Sequence, residues 1–451
     1  MFGRAAPALI IVLSIMICFA GATQAQNQTR IVSEPCKALQ NVSAREIDQK
    51  IGSLEASVKD LKRARSQVSS QARARLQEID EKIRAAQESL IDLEFARECF
   101  RRDIRPDPAL VQNAENAEGK RGPADWVALT VYYATDRVAT GESAGVTTYG
   151  SDRVQQPGYG RVEVSIPTSR RAGTLPLPSL WQLELNADPS KHFILKSVRP
   201  LNNDVARAEL SAKLAAADAK SVLIFVHGFN VTFAGAALRT AQMAHDLAFP
   251  GLAMFFSWPS AGQTRSYFRD EEISRLSEPA FNQMLDDVAA LGPTEIYLIA
   301  HSMGNRIVTS VLKDRARQNQ PIPKISELLL AAPDVNEQLF REQIVPALAS
   351  AQSVHRTIYA SSNDVALKAS KVAHEFRRIG DTDGGVLTFT GYETIDATAA
   401  APVVRAFGHS YVMDSPRVLS DIADILIRRK PVAQRGLDRK QATPTPYWLL
   451  R

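Results

Sequence analysis

Apolar runs of strand length recur from residue 127 onward, at 127–133, 161–166, 193–198, 222–226, 253–256, 296–299, 327–330 and 357–360. They are rich in Val, Ile, Leu, Phe and Tyr, side chains that pack well on a pleated surface. In the second half of the chain these runs alternate with stretches of helical spacing, at 234–247, 277–291, 305–317 and 336–348. The alternation predicts an α/β fold with a largely parallel central sheet covered by helices on both faces. In such sheets the chemistry gathers beyond the carboxyl ends of the strands.

The texture before residue 127 is different. Ile47, Ile51, Leu54, Val58 and Leu61 form one heptad seam, and Leu76, Ile79, Ile83, Ala86, Leu90 and Leu93 form a second. Such seams are the mark of helices that pack on each other. The two do not share a frame, and the polar stretch at 66–71 between them predicts an antiparallel hairpin within 26–102, turning near Ser69. The alternative is one continuous helix with a stutter, forming an intermolecular coiled coil through 44–102 and so a route to self-association or to an envelope protein partner. Residues 103–125, with Pro106, Pro108 and Pro123, read as a linker. The α/β domain is expected over 126–428, and 429–451, with Lys430, Arg435, Arg439, Lys440 and several Pro, as a flexible basic tail. Solvation is the plainer role for that tail, and contact with anionic lipid headgroups the alternative.

Composition narrows the partners. The 451 residues are 45% hydrophobic and 23% charged, enough for a large core. A net charge of +5, scattered and not interleaved with aromatic residues, excludes a nucleic-acid role. Arg4, the apolar run 5–21 and the small residues at 22–25 have the pattern of a secretory signal over 1–25, which predicts export, most simply to the periplasm. An uncleaved inner-membrane anchor is the alternative, although the run falls short of the roughly 20 residues that span a bilayer. Cleavage removes Cys18 and leaves Cys36 and Cys99 for an oxidising compartment. A hairpin turning near Ser69 would bring these two together at its base, and a disulfide there would contribute on the order of 4 kcal/mol. No cluster with metal-ligand spacing occurs, and neither a metal nor a cofactor is called for.

The chemistry is concentrated at two strand ends. The strand residues Ile296 to Ile299 lead into Ala300-His301-Ser302-Met303-Gly304-Asn305 and then a helical stretch. Small residues on both sides of a Ser let the backbone turn sharply and leave the hydroxyl at the tip, where a base can reach it. A Ser capping the following helix is the plain alternative. Some eighty residues earlier, the strand 222–226 ends in His227-Gly228-Phe229-Asn230.

With these two motifs the chain resembles the α/β-hydrolases. Tyr133-Ala134-Thr135-Asp136-Arg137, His227-Gly228-Phe229-Asn230, Phe256-Ser257-Trp258-Pro259-Ser260, Ala332-Pro333-Asp334 and Gly408-His409-Ser410-Tyr411 extend the likeness to a poorly characterised bacterial family of esterase and lipase type, over about two thirds of the chain. The resemblance implies Ser302 as nucleophile and the amides of Phe229 and Met303 as oxyanion donors. In that chain order the base follows the nucleophile and the acid, leaving His374 and His409, of which His409 in its Gly-containing loop fits better. Asp364 after the last of the predicted strands is the expected acid, with Asp334 as the alternative and Asp396 behind both; each could instead be a helix cap. His227, Trp258 and Tyr267 are candidates for the substrate pocket, with a packing role for Trp258 equally open, and Asp270, Glu271 and Glu272 read as a solvated helix start. The implied activity is hydrolysis of carboxylic esters, with an ester or other acyl compound, lipids included, as substrate. The same fold also hosts lipases, acyltransferases and peptidases. A catalytically idle envelope scaffold built on the N-terminal helices is the reading from another class.

Overall fold

The computed structural model describes residues 44–68, 75–76, 78–83, 86, 125–143, 145–176, 188–263, 266–351, 353–400 and 409–451. The signal segment 1–25, Cys36, Cys99 and nearly all of the linker lie outside the described residues. The chain runs through α1 (Ala44–Ser66), β1 (Trp126–Ser143), β2 (Val146–Pro167), β3 (Ile194–Leu201), α2 (Asn203–Ala216), β4 (Ser221–Val226), α3 (Phe233–Asp246) and β5 (Leu252–Ser257). There follow α4 (Tyr267–Leu276), α5 (Glu278–Ala290), β6 (Glu295–His301), α6 (Gly304–Arg317), β7 (Ile325–Ala331), β8 (His355–Ala360), α7 (Val365–His374), β9 (Glu393–Asp396), α8 (Pro416–Leu426), β10 (Asp438–Lys440) and β11 (Tyr447–Leu449).

The eleven strands make one sheet in the order β10-β11-β9-β8-β7-β6-β4-β5-β1-β2-β3. From β1 through β5, β4, β6, β7, β8 and β9 every neighbouring pair is parallel, as the strand–helix alternation predicts. The β1, β2 and β3 edge is antiparallel. The central strands are buried on both faces, and alternate residues serve opposite cores. Val222, Ile224 and Val226 of β4 pack with Phe281 and Met284 of α5 and Ile307 of α6, while Leu223 and Phe225 pack with Ala237 and Ala241 of α3 and Ile422 of α8. The order turns over at β4, which leads first to β5 on one side and then to β6 on the other. A crevice opens outside the strand ends at such a reversal. Gly228, just after β4, and Ser302, just after β6, stand there.

Two expectations need correction. The segment 429–451 is not a free tail: β11 joins the sheet beside β9, with Trp448 opposite Ile395, and β10 closes the edge. Three of its cations are paired with carboxylates, Arg435 with Glu393 at 2.6 Å, Arg429 with Glu295 and Lys430 with Asp424 at 2.9 Å, while Arg439 stays exposed. At the start of α4 only Glu272 is exposed as expected, and the two residues before it are not solvated. Asp270 is fully buried, accepting from Ser260 Oγ at 2.6 Å and Ala261 N at 2.9 Å, and Glu271 is paired with Arg306 and His374.

At the N-terminal end, Ile47, Ile51 and Val58 of α1 are buried, as are Ile79 and Ile83. Arg65 Nη2 donates to Asp80 Oδ2 at 3.1 Å. In one uninterrupted helix residues 15 apart would stand about 22 Å apart, so this contact is incompatible with a continuous helix through both. Lys62 of α1 reaches Glu375 beyond α7 at 2.9 Å.

Candidate active site

β6 ends in a turn that few residue types adopt without cost. Ser302 has φ 51°, in the left-handed region, which costs of order 1–3 kcal/mol in a non-glycine residue. Its surroundings fix it there. The Ser302 amide donates to Ala331 O at 2.9 Å, and its carbonyl accepts from Asn305 N at 3.1 Å, from Asn305 Nδ2 at 2.9 Å and from Asp334 N at 3.3 Å. Two glycines let the loop after β4 lie directly on this turn. A Cβ on Gly228 would fall 2.6 Å from Ser302 Cβ, and one on Gly304 would fall 2.5 Å from His227 O. Among the described residues no backbone carbonyl accepts from the amide of Phe229 or of Met303.

His409 lies beside this turn. Its Nδ1 is 2.8 Å from both carboxylate oxygens of Asp364, which is fully buried. Its Nε2 is buried and has no hydrogen-bond partner among the described residues. Burial disfavours the imidazolium, but the charge of Asp364 and its hydrogen bond outweigh that, and the His409 pKa is raised. The neighbour of Ser302, His301, stacks at an angle on His409 with ring centroids 4.7 Å apart, and its Nε2 lies 3.0 Å from His409 O. Burial, then repulsion from His409, holds the His301 pKa far below the usual histidine value. A neutral His301 with its proton on Nε2 donates to that carbonyl and ties the two loops together.

Of the two carboxylates weighed for this position, Asp364 pairs with the histidine and Asp334 does not. Asp364 also caps α7, accepting from Leu367 N at 3.0 Å. Asp334 is saturated by other groups: it accepts from Tyr267 Oη at 2.5 Å, Ser370 Oγ at 2.6 Å and Arg306 Nη2 at 3.2 Å, and is ion-paired with Arg378 Nε at 3.2 Å. Burial alone would raise its pKa, but the two guanidinium groups hold it well below the usual carboxylate range. Asp396 is engaged by Thr398. His374 bridges Ser370 O at 2.9 Å and Glu271 at 2.8 Å.

The pocket candidates divide. Tyr267 lines a small cavity together with Ser302, Phe229 and Asp334. His227 and Trp258 lie beneath the loop. Trp258 is fully buried, donates from its indole to His227 O at 2.8 Å and stacks on the His227 ring at 5.1 Å. His227 is pushed down to about 3 by burial and by the charge of Arg137, so it is neutral, with Nδ1 2.8 Å from Gly228 O. Both shape the turn after β4 from below.

Arg137 is the functional neighbour that residue patterns alone did not single out. Its buried guanidinium donates to Ser257 Oγ at 2.9 Å, Gly150 O at 2.9 Å, Ser260 O at 3.0 Å and Val231 O at 2.8 Å. It thus clamps the loops after β4 and β5 to the β1–β2 ribbon. Arg137 sits inside β1 where the register with β2 shifts, between Thr135 and Ala139. Among the described residues no group of three or more His, Cys, Asp or Glu could hold a metal ion.

Comparison with known proteins bears on the family and the fold. A family model described as an alpha/beta hydrolase of unknown function (DUF900) matches residues 202–429. An uncharacterised protein of a Nostoc species is 30% identical over 129 residues, which cover 22% of this chain and 33% of that protein. The chain therefore aligns with only about a third of that relative's length. Among solved structures, a hyperthermophilic esterase from the archaeon Pyrobaculum calidifontis is 12% identical at a TM-score of 0.28, covering 79% of this chain and 96% of the other. A carboxyl esterase from the fungus Tuber melanosporum is 12% identical at 0.27, covering 69% and 99%. Overlays this loose carry no argument about the reaction.

Proposed function

The chain belongs to this family of α/β-hydrolases of unknown function, and from that footing we propose that it is a serine hydrolase acting on carboxylic esters. One observation carries the reading. A buried imidazole is held by Asp364 through Nδ1 while its Nε2 has no partner among the described residues, beside a serine fixed in a left-handed turn. No packing requirement calls for that combination.

The steps follow from these atoms. Ser302 Oγ attacks the ester carbonyl carbon as its proton passes to Nε2 of His409. The carbonyl oxygen becomes an oxyanion facing the amides of Phe229 and Met303, each such donor being worth roughly 3 kcal/mol to the transition state. The C–O bond to the alcohol breaks, and the alcohol leaves with the proton from Nε2. Water then gives a proton to Nε2 and adds its oxygen to the acyl carbon. Collapse releases the carboxylic acid, and the proton returns to Ser302 Oγ. Asp364 holds the ring through Nδ1, leaving the Nε2 lone pair for the serine proton, and stabilises the imidazolium.

A fluorophosphonate provides the test: it should phosphonylate the wild-type chain at Ser302 and leave Ser302→Ala unmodified. Labelling that persists in the variant removes the assignment. The apolar run 5–21 and the small residues at 22–25 support an exported enzyme. N-terminal sequencing of the mature chain, expected to begin near residue 26, tests that part separately.

A further inference from the structure

The cavity against Ser302 has a volume of about 10 Å³, room for roughly one water molecule. Its other walls are Phe229, Tyr267, Asp334, Ala366, Leu367 and Ser370, and they present mostly apolar surface. We propose that this cavity is the acyl subsite and that its fixed walls restrict the enzyme to acetyl and similarly short acyl esters. The inference rests on the serine-hydrolase reading.

The walls are fixed by bonds that a longer chain would have to break. Tyr267 is 4% exposed, and its hydroxyl lies 2.5 Å from Asp334, 2.8 Å from Ser370 Oγ and 2.9 Å from Arg306 Nη2. Asp334 is in turn held by Arg378, so the phenol is anchored to a buried, charge-balanced network and not to a loop. The Phe229 ring meets Tyr267 edge-on at 5.1 Å, on a loop pressed against Ser302 at Gly228. Leu367 is 1% exposed and sits on the first turn of α7, the turn that Asp364 caps, so this wall cannot retreat without moving the residue that holds His409. A methyl group fills about the volume of a water, so an acetyl carbonyl can reach Ser302 with its methyl in the cavity. Each further methylene must displace Tyr267, Phe229 or Leu367. A larger groove of about 720 Å³, between Arg306, His374 and Phe376, is not lined by Ser302 and gives an acyl chain on the serine no room.

The experiment measures kcat/KM for p-nitrophenyl acetate, butyrate and octanoate on the full chain, beside Ser302 labelling by a fluorophosphonate with a small alkyl group on phosphorus. The expected result is labelling together with an acetate preference of ~10-fold or more over butyrate and ~100-fold or more over octanoate. Phe229→Ala removes one wall but keeps the backbone amide, and should raise the butyrate-to-acetate ratio about 10-fold. Phe229→Val serves the same purpose should the alanine variant not fold. Labelling with equal turnover of acetate and octanoate overturns the size restriction and leaves the serine-hydrolase reading standing. An unchanged ratio in a folded Phe229 variant removes the assignment of this cavity to the acyl group. Absence of both labelling and ester turnover overturns the underlying reading and this inference with it.

Discussion

Nδ1 of His409 stands 2.8 Å from both carboxylate oxygens of Asp364, and Oδ1 of the same aspartate lies 3.0 Å from Leu367 N. One side chain thus orients the base and caps a helix, and the two roles can be separated. Asparagine caps a helix as well as aspartate but carries no charge. Asp364→Asn should therefore keep the fold while lowering kcat for a p-nitrophenyl ester by as much as ~10⁴-fold, through loss of the charge and of the correct tautomer. Unfolding midpoints within a few degrees of wild type beside a rate loss of that order are the expected pair of results. A full rate in a folded variant would show that His409 is oriented by something else.

The same pair sets the pH profile. Burial acts against a charged His409, yet Asp364 more than offsets it and the pKa is raised. A general base works in its neutral form, so kcat/KM should rise with pH through a midpoint above the ordinary histidine value of about 6.5. Removing the negative charge in Asp364→Asn lowers the pKa, so the midpoint of whatever activity survives should move to lower pH. A midpoint that moves up instead would contradict the electrostatic account.

Asp334 predicts a different phenotype. It is the carboxylate on which the buried Arg306 and Arg378 converge, 2% exposed. Asp334→Asn takes from Arg378 its carboxylate partner and leaves Arg306 with Glu271 alone, and should destabilise the fold by about 3–5 kcal/mol, the usual result of removing one member of a buried ionic group. The sign of the pH dependence follows from its lowered pKa. The stability it contributes is present above the unfolded aspartate pKa of about 3.9 and is lost as pH falls through its lower folded value. Urea midpoints of wild type and variant should therefore differ most at neutral pH and converge in acid.

These contrasts also mark where sequence stops being informative. The turn around Ser302 is legible because its signal is local, a buried strand, small residues on both sides and a helix within a dozen positions. Asp334 and Asp364 are indistinguishable by the same criteria, since each follows a strand and precedes a helix. What separates them is the placement of Arg306 and Arg378, one on α6 and one beyond α7, around the first and not the second. Strands β10 and β11 escape a pattern reading because three residues are too few to show alternation and because β9, the strand through which β11 joins the sheet, is some fifty positions away. Trp258 looks like a pocket wall from its place after β5, and only the indole bond to His227 O puts it underneath.

His355 offers a test of the sheet rather than the site. On β8, its Nδ1 lies 2.6 Å from Glu327 of β7 and its Nε2 2.9 Å from Glu393 of β9, and those two hydrogen bonds raise it to about 10. A raised pKa stabilises the fold fully below the unfolded value of about 6.5, and the contribution is lost as pH rises through about 10. The side chain is 40% exposed, so solvent screening limits the effect to about 1 kcal/mol. His355→Gln should remove the alkaline loss of stability between roughly pH 7 and 10 that wild type shows in urea titrations, and should leave ester turnover at pH 7 near wild type because the residue is remote from Ser302.

Gly228 tests whether the loop after β4 takes part in the chemistry. A Cβ there would lie 2.6 Å from Ser302 Cβ and 3.0 Å from His301 O, closer than packed carbon atoms come, so in Gly228→Ala the loop must lift off the turn. The amide of Phe229 moves with it, while Met303, Asp364 and His409 are carried by other elements and stay in place. If the two amides share the oxyanion, loss of one should lower kcat by about 10²–10³-fold. Phosphonylation of Ser302 should slow in parallel, since the phosphonyl oxygen occupies the same position. A variant that keeps its rate would mean that Phe229 N does not face the oxyanion.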